Sequence, residues 1–122
     1  LRRVFYREDR LLKPDTSLET LPVSKNMGWS DDPRDDRRYN TLIKTPYLFS
    51  HETLWRLDSL YDIIVELGYN DSPPILGRGS AIFMHLARPN FEPTAGCVAL
   101  KKSDLLSLLS LVSHGDLLNI VK

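Results

Sequence analysis

The sequence predicts a mostly β domain with one well-marked helix, an α+β class. Three observations carry that prediction. Short runs rich in β-branched and aromatic residues recur between turn formers. Leu105, Leu106, Leu108, Leu109 and Val112 fall at helical spacing. The first fifty residues are punctuated by Lys13-Pro14-Asp15, Leu21-Pro22, Asp32-Pro33 and Thr45-Pro46, which suits short strands joined by ordered surface loops.

In chain order, Arg2-Arg3-Val4-Phe5-Tyr6 reads as a strand. A chain that opens on Leu1 rather than Met, directly into a strand, is expected to be a fragment or a processed product. The whole is therefore read as a single domain, residues 1–122, shortened at its N-terminus. Tyr61-Asp62-Ile63-Ile64-Val65-Glu66-Leu67 is a strand bounded by Gly68 and Asn70. Asp71-Ser72-Pro73-Pro74 and Gly77-Arg78-Gly79 form an irregular connection. Ser80-Ala81-Ile82-Phe83-Met84-His85-Leu86 is a second strand, Pro89 and Pro93 break the next stretch into a loop, and Cys97-Val98-Ala99-Leu100 is a third. Ser103 is placed to cap the helix, its hydroxyl accepting from first-turn amides, and Asp104 suits the positive helix end. Gly115, after His114, supplies a stop, and residues 117–121 return as a strand.

At 122 residues the chain has room for one domain. Sixteen Lys and Arg against sixteen Asp and Glu give zero net charge. That balance argues against a general nucleic-acid binder, which needs a basic excess for phosphates, and against a polybasic membrane-surface domain. The longest apolar candidate, residues 105–112, falls far short of the roughly 20 residues of a transmembrane helix. One cysteine excludes an internal disulfide framework and any multi-cysteine zinc site.

That cysteine has a partner by strand parity. Successive strand side chains point to opposite faces. In the second strand Ile82, Met84 and Leu86 share one face, and His85 lies on the other with Phe83. In the third, Cys97 lies opposite Val98 and Leu100. With the large apolar sets facing the core, His85 and Cys97 both leave it, and neighbouring strands would bring them together on one surface. A thiol has a pKa of about 8.5, so a nearby imidazole that takes its proton is what nucleophilic catalysis by cysteine requires. Gly96, in the turn Thr94-Ala95-Gly96, permits close backbone approach, and turn amides can aim at a developing oxyanion. The bland alternative is a small, buried, inert cysteine.

His85, followed after a proline-containing loop by Pro93-Thr94-Ala95-Gly96-Cys97-Val98-Ala99-Leu100, resembles the signature of the L,D-transpeptidase catalytic domain, the YkuD family. The lead-in Gly77-Arg78-Gly79-Ser80-Ala81-Ile82-Phe83-Met84 and the helix opening at Ser103-Asp104 are similar too, as is the closing Gly115-Asp116-Leu117-Leu118-Asn119-Ile120. The resemblance is best over residues 60–122. The charged N-terminal zone, with Trp29-Ser30-Asp31-Asp32-Pro33 and Tyr39-Asn40, resembles a proteobacterial branch. The family implies a YkuD-like β-sandwich fold, N-terminally incomplete here, and a role on peptidoglycan stem peptides in the periplasm or cell envelope, in cell wall biogenesis and cell shape. It implies Cys97 as nucleophile, His85 as base and then acid, backbone amides at Gly96 and Cys97 as the oxyanion site, and no cofactor or metal. The thioester would be resolved by an amine from a second stem, giving a cross-link, or by water, giving hydrolysis. A non-catalytic wall-binding or inactive truncated domain is the third reading. Ala95 stands where many members have His, Ala99 where many have Arg, and the twelve positions from His85 to Cys97 are fewer than is common. The Ala99 variant occurs in branches that cleave links.

Among other residues, Arg78 and Arg88 could pair with a substrate carboxylate or simply be solvated. Ser80 and Thr94 could reach the histidine or the substrate, or else stabilise turns. The run Asp31-Asp32-Pro33-Arg34-Asp35-Asp36-Arg37-Arg38 lacks EF-hand spacing and reads as a self-paired, solvated loop. His51 reads as a surface residue ahead of a short helix. His114 is read as suiting a helix C-terminus, and Trp55 as core.

Overall fold

A computed structural model describes residues 1–88, 94 and 96–119. The expectations for Pro89, Pro93, Ala95 and the end of the 117–121 segment lie outside these residues. Eight strands precede one helix: β1 (Val4–Tyr6), β2 (Thr20–Pro22), β3 (Met27–Ser30), β4 (Leu42–Lys44), β5 (His51–Thr53), β6 (Ile63–Glu66), β7 (Phe83–Leu86), β8 (Val98–Leu100) and α1 (Lys102–Leu109). They form a five-stranded sheet in the order β2-β1-β6-β7-β8 and a three-stranded sheet in the order β4-β3-β5. In the larger sheet only β6 runs against the rest: it is antiparallel to β1 and β7, while β2 and β8 are parallel to their neighbours.

The larger sheet is the middle layer of three. Val4, Ile63, Val65, Met84 and Leu86 turn to one face and pack with Leu105 and Leu109 of α1. Phe5, Ile64 and Phe83 turn to the other and pack with Trp29, Leu54 and Tyr61 beneath the smaller sheet. This alternation through β1, β6 and β7 is the period-2 signature of a strand, here with both sides apolar because both are covered. It corrects the expectation that the His85 face of β7 leaves the core: Phe83 and His85 are 1% and 3% exposed. Trp29 meets Phe5 and Phe83 edge to face at 6.4 and 5.1 Å, a favoured arrangement of ring quadrupoles.

Most of the predicted elements are present, with shifted ends. Residues 61 and 62 belong to a turn closed by Asp62 N–H on Ser59 C=O, so the first central strand begins at Ile63. Ala81 has a φ of +57°, in the left-handed region, so residues 80–82 are not strand and β7 begins at Phe83. Ser103 does not cap α1. The helix starts two residues earlier, after Lys101, with no side-chain cap, because β8 ends at Leu100 and the chain turns at once into the helix. Asp104 does sit in the first turn. The helix ends at Leu109 on Ser110, so neither Gly115 nor His114 is at its terminus. Gly115 N–H instead bonds Leu1 C=O. Residues 117–119 form no strand. His51 opens β5 rather than a helix, paired with Ser30. Trp55 is only half-buried, with the Arg7 guanidinium stacked 3.5 Å above its ring.

The acidic run is self-paired in part: Arg34 holds Asp32 at 2.6–3.1 Å. It is solvated only in part: Pro33, Arg34, Asp36, Arg37 and Arg38 are exposed. Asp32 and Asp35 are buried, and Asp35 accepts from Ser30 Oγ at 2.6 Å, from the Tyr47 hydroxyl and from Arg38 N–H. A buried carboxylate needs such donors, and here they come from β3 and the loop before β5.

Asn40 joins the two sheets. Its Oδ1 accepts from Trp29 Nε1 at 2.9 Å, and its Nδ2 donates to the carbonyls of Tyr69 and Asn70 at 2.9 and 2.7 Å. It thus fixes the segment after β6 that leads to the irregular connection. Gly79, at φ +125°, lies so close to the Tyr69 ring that a Cβ would come within 2.7 Å of it.

Leu105 is fully buried beneath the larger sheet, whereas Leu111 is 81% exposed. Leu105→Ala is expected to lower unfolding free energy by about 2–5 kcal/mol in urea titration, and Leu111→Ala to stay within about 0.5 kcal/mol.

Candidate active site

β7 and β8 are neighbours, with Met84 facing Val98, His85 facing Ala99 and Leu86 facing Leu100. Extending that register puts Cys97 beside Phe83, on the face shared with His85. Two residues along a strand and one strand across place the Cα atoms of His85 and Cys97 about 8 Å apart. Both side chains line one cavity of about 480 Å³ at the rim between the two sheets.

The histidine is held from two sides. Its Nδ1 lies 2.9 Å from Leu86 C=O. A carbonyl can only accept, so in the neutral ring Nδ1 carries the hydrogen and Nε2 keeps its lone pair. The Tyr61 ring meets the imidazole edge to face at 5.5 Å and Phe83 at 6.0 Å, which extends the aromatic series from Trp29 to the site.

The cysteine is half-buried and free. Phe83 N–H donates to Sγ at 3.5 Å, and the thiol donates to Ala81 C=O at 3.3 Å. The left-handed Ala81 therefore supplies the thiol's acceptor. Burial pushes the Cys97 thiol up, Phe83 N–H opposes this, and the Glu52 carboxylate adds to it. Burial pushes the His85 imidazole down, the Leu86 carbonyl opposes this, and Arg56 and Arg88 add to it. Both shifts favour uncharged forms, so the resting pair is a thiol and a neutral imidazole. A neutral imidazole with its Nε2 lone pair free is the form that can accept a proton.

Of the remaining sequence candidates, Ser80, Arg88 and Thr94 line this cavity. The Ser80 and Thr94 hydroxyls are committed to the backbone carbonyls of Ser30 and Cys97. Arg88 is exposed at the rim. Arg78 and Gly96 are not brought to this cavity. They line a second, more apolar one of about 510 Å³ with Leu1, Tyr69, Ile82 and Val98. Asp31, Glu52, Arg56 and Tyr61 line the first cavity and were missed by sequence reasoning. Tyr61 donates to Glu52 Oε1 at 2.9 Å, and its phenol is pushed far up by burial and by that carboxylate. The one available signal was the pairing of β5 with β3, which sets Glu52 opposite the inward-facing Trp29. Among the described residues, no group of three or more His, Cys, Asp or Glu side chains could hold a metal ion, and no helix is long and apolar enough to cross a membrane.

A thiol and an imidazole of fixed tautomer, at the rim of a two-sheet sandwich backed by a helix, define a domain with the groups for thiol-based acyl transfer. Residues 3–120 match the family described as YkuD, the L,D-transpeptidase catalytic domain, and the chain belongs to that family. The match takes in the charged N-terminal zone as well as the His85–Cys97 segment. Membership implies a peptidoglycan substrate. Neither the curated proteins nor the solved structures include a match to the chain.

Burial raises the thiol's pKa above its ordinary value, so the uncharged form prevails at pH 7. Iodoacetamide is therefore expected to modify the free protein slowly at pH 7, with a rate that climbs through pH 9 and beyond, followed by mass spectrometry. Fast modification on a plateau below pH 7 would mean a preformed thiolate–imidazolium pair.

Proposed function

We propose that the protein is a peptidoglycan L,D-transpeptidase of the cell envelope, working through a thioester on Cys97. The observation that carries this reading is that Cys97 and His85 line one cavity, with the His85 tautomer set by Leu86 C=O. The Cys97 sulfur bonds to the carbonyl carbon of the third stem residue while its proton passes to His85 Nε2. The resulting oxyanion is held by the backbone amide of Cys97, which follows the turn made by the positive φ of Gly96 (+88°). The carbon–nitrogen bond then breaks, and the imidazolium gives its proton to the departing D-alanine amine. An amine of a second stem attacks the thioester, His85 removes its proton, and the proton returns to sulfur as the new amide forms.

Two features bear on the acceptor. Ala99 faces His85 across the sheet, where many relatives carry an arginine, and the cavity opens at the sandwich rim, where water can enter. These favour hydrolysis as the competing outcome at the same site.

Disaccharide-tetrapeptide incubated with the protein is expected to yield cross-linked dimers with loss of D-alanine, read by mass spectrometry. Shortened monomers would make the protein a peptidase. Cys97→Ala is expected to abolish either product, and His85→Ala to slow its formation by about 10²–10⁴-fold. Turnover unaffected by Cys97→Ala would end this reading.

A further inference from the structure

Glu52 is the unexplained charge of this cavity. It lies on β5, directly across from the buried Trp29, and its side chain, about one-third exposed (34%), lines the cavity together with Cys97 and His85. Its Oε1 accepts from the neutral Tyr61 hydroxyl. The nearest cation in an ion pair with it, Arg56, stands off at 3.9 Å and is held by Asp58 through a two-pronged pair at 2.8 and 2.6 Å. The cavity's other carboxylate, Asp31, accepts from Ser50 Oγ at 2.8 Å. The Glu52 carboxylate thus shares a cavity with a cysteine whose ionisation it opposes. For a nucleophilic thiol this is counterproductive, unless a bound cation cancels the charge.

We propose that Glu52 is a specificity-determining residue that receives an ammonium group of the stem peptide reacting at Cys97. The proposal rests on reading this cavity as the stem-peptide site. Binding an ammonium there neutralises the one carboxylate that disfavours the thiolate, so a cationic peptide prepares the nucleophile that attacks it, and a neutral peptide does not.

The test compares disaccharide-tetrapeptide bearing a free side-chain ammonium on its third residue with the same compound N-acetylated at that amine. Calorimetry on the Cys97→Ala protein is expected to show the free form binding about three- to tenfold tighter. Adding Glu52→Gln, which keeps an oxygen for the Tyr61 hydroxyl, is expected to bring the two forms within about twofold. In the protein with Cys97 intact, Glu52→Gln is expected to speed iodoacetamide modification at pH 7 while slowing turnover of the free peptide. A merely structural role would not move those two rates in opposite directions. Equal binding of both peptides, or a preference that survives Glu52→Gln, overturns the proposal. Cross-linking without that preference leaves the Cys97 chemistry standing and Glu52 out of it. A Glu52-dependent preference with no Cys97-dependent product does the reverse.

Discussion

The middle sheet is buried on both faces, and the rest of the molecule depends on that constraint. A strand with one solvated face can place a polar side chain outward at little cost. β7 has no such face: Met84 and Leu86 belong to the helix side, Phe83 to the smaller sheet, and His85 shares the Phe83 side at 3% exposure. An imidazole in that position must be hydrogen-bonded and is pressed toward its neutral form. The Leu86 carbonyl meets the first requirement and sets the tautomer. A register slip of one residue would send Met84 into the site and His85 under the helix.

From this follows the electrostatic character of the site. Removing water raises the thiol and lowers the imidazole together, so neither group is charged before a substrate arrives. Around them Arg56 is paired with Asp58, whereas Glu52 is met by the uncharged Tyr61 hydroxyl. The aromatic series from Trp29 through Phe83 and Tyr61 ties the histidine to the buried core of the sandwich.

Much of this was legible in the sequence because it is local. The β-branched runs around Ile63, Met84 and Val98, the leucine spacing of α1, and the parity that puts His85 with Phe83 and opposite Met84 all follow from period alone. What parity cannot supply is how many faces are covered. Phe83 with His85 looked like an outward face because the covering layer, Trp29 and Leu54, lies far off in sequence. Tyr61 escaped for a related reason: a turn ends at Asp62, so extending the alternation of β6 back to Tyr61 gives the wrong face. Ala81 reads as a strand residue by composition and is left-handed in the fold, where its carbonyl accepts from the Cys97 thiol. Glu52 reached the site only through the pairing of β5 with β3, a long-range register no local pattern encodes.

The alternation along β7 also bears on how such a domain can change over generations. Phe83 answers to the Trp29 ring, Met84 and Leu86 to the helix leucines, and His85 to the Leu86 carbonyl and Tyr61. No position among the four is free to drift by itself. Variation there has to be compensated, arriving in matched pairs such as Met84 with a leucine of α1, so β7 would evolve as a unit with its partners while the connections around it vary independently.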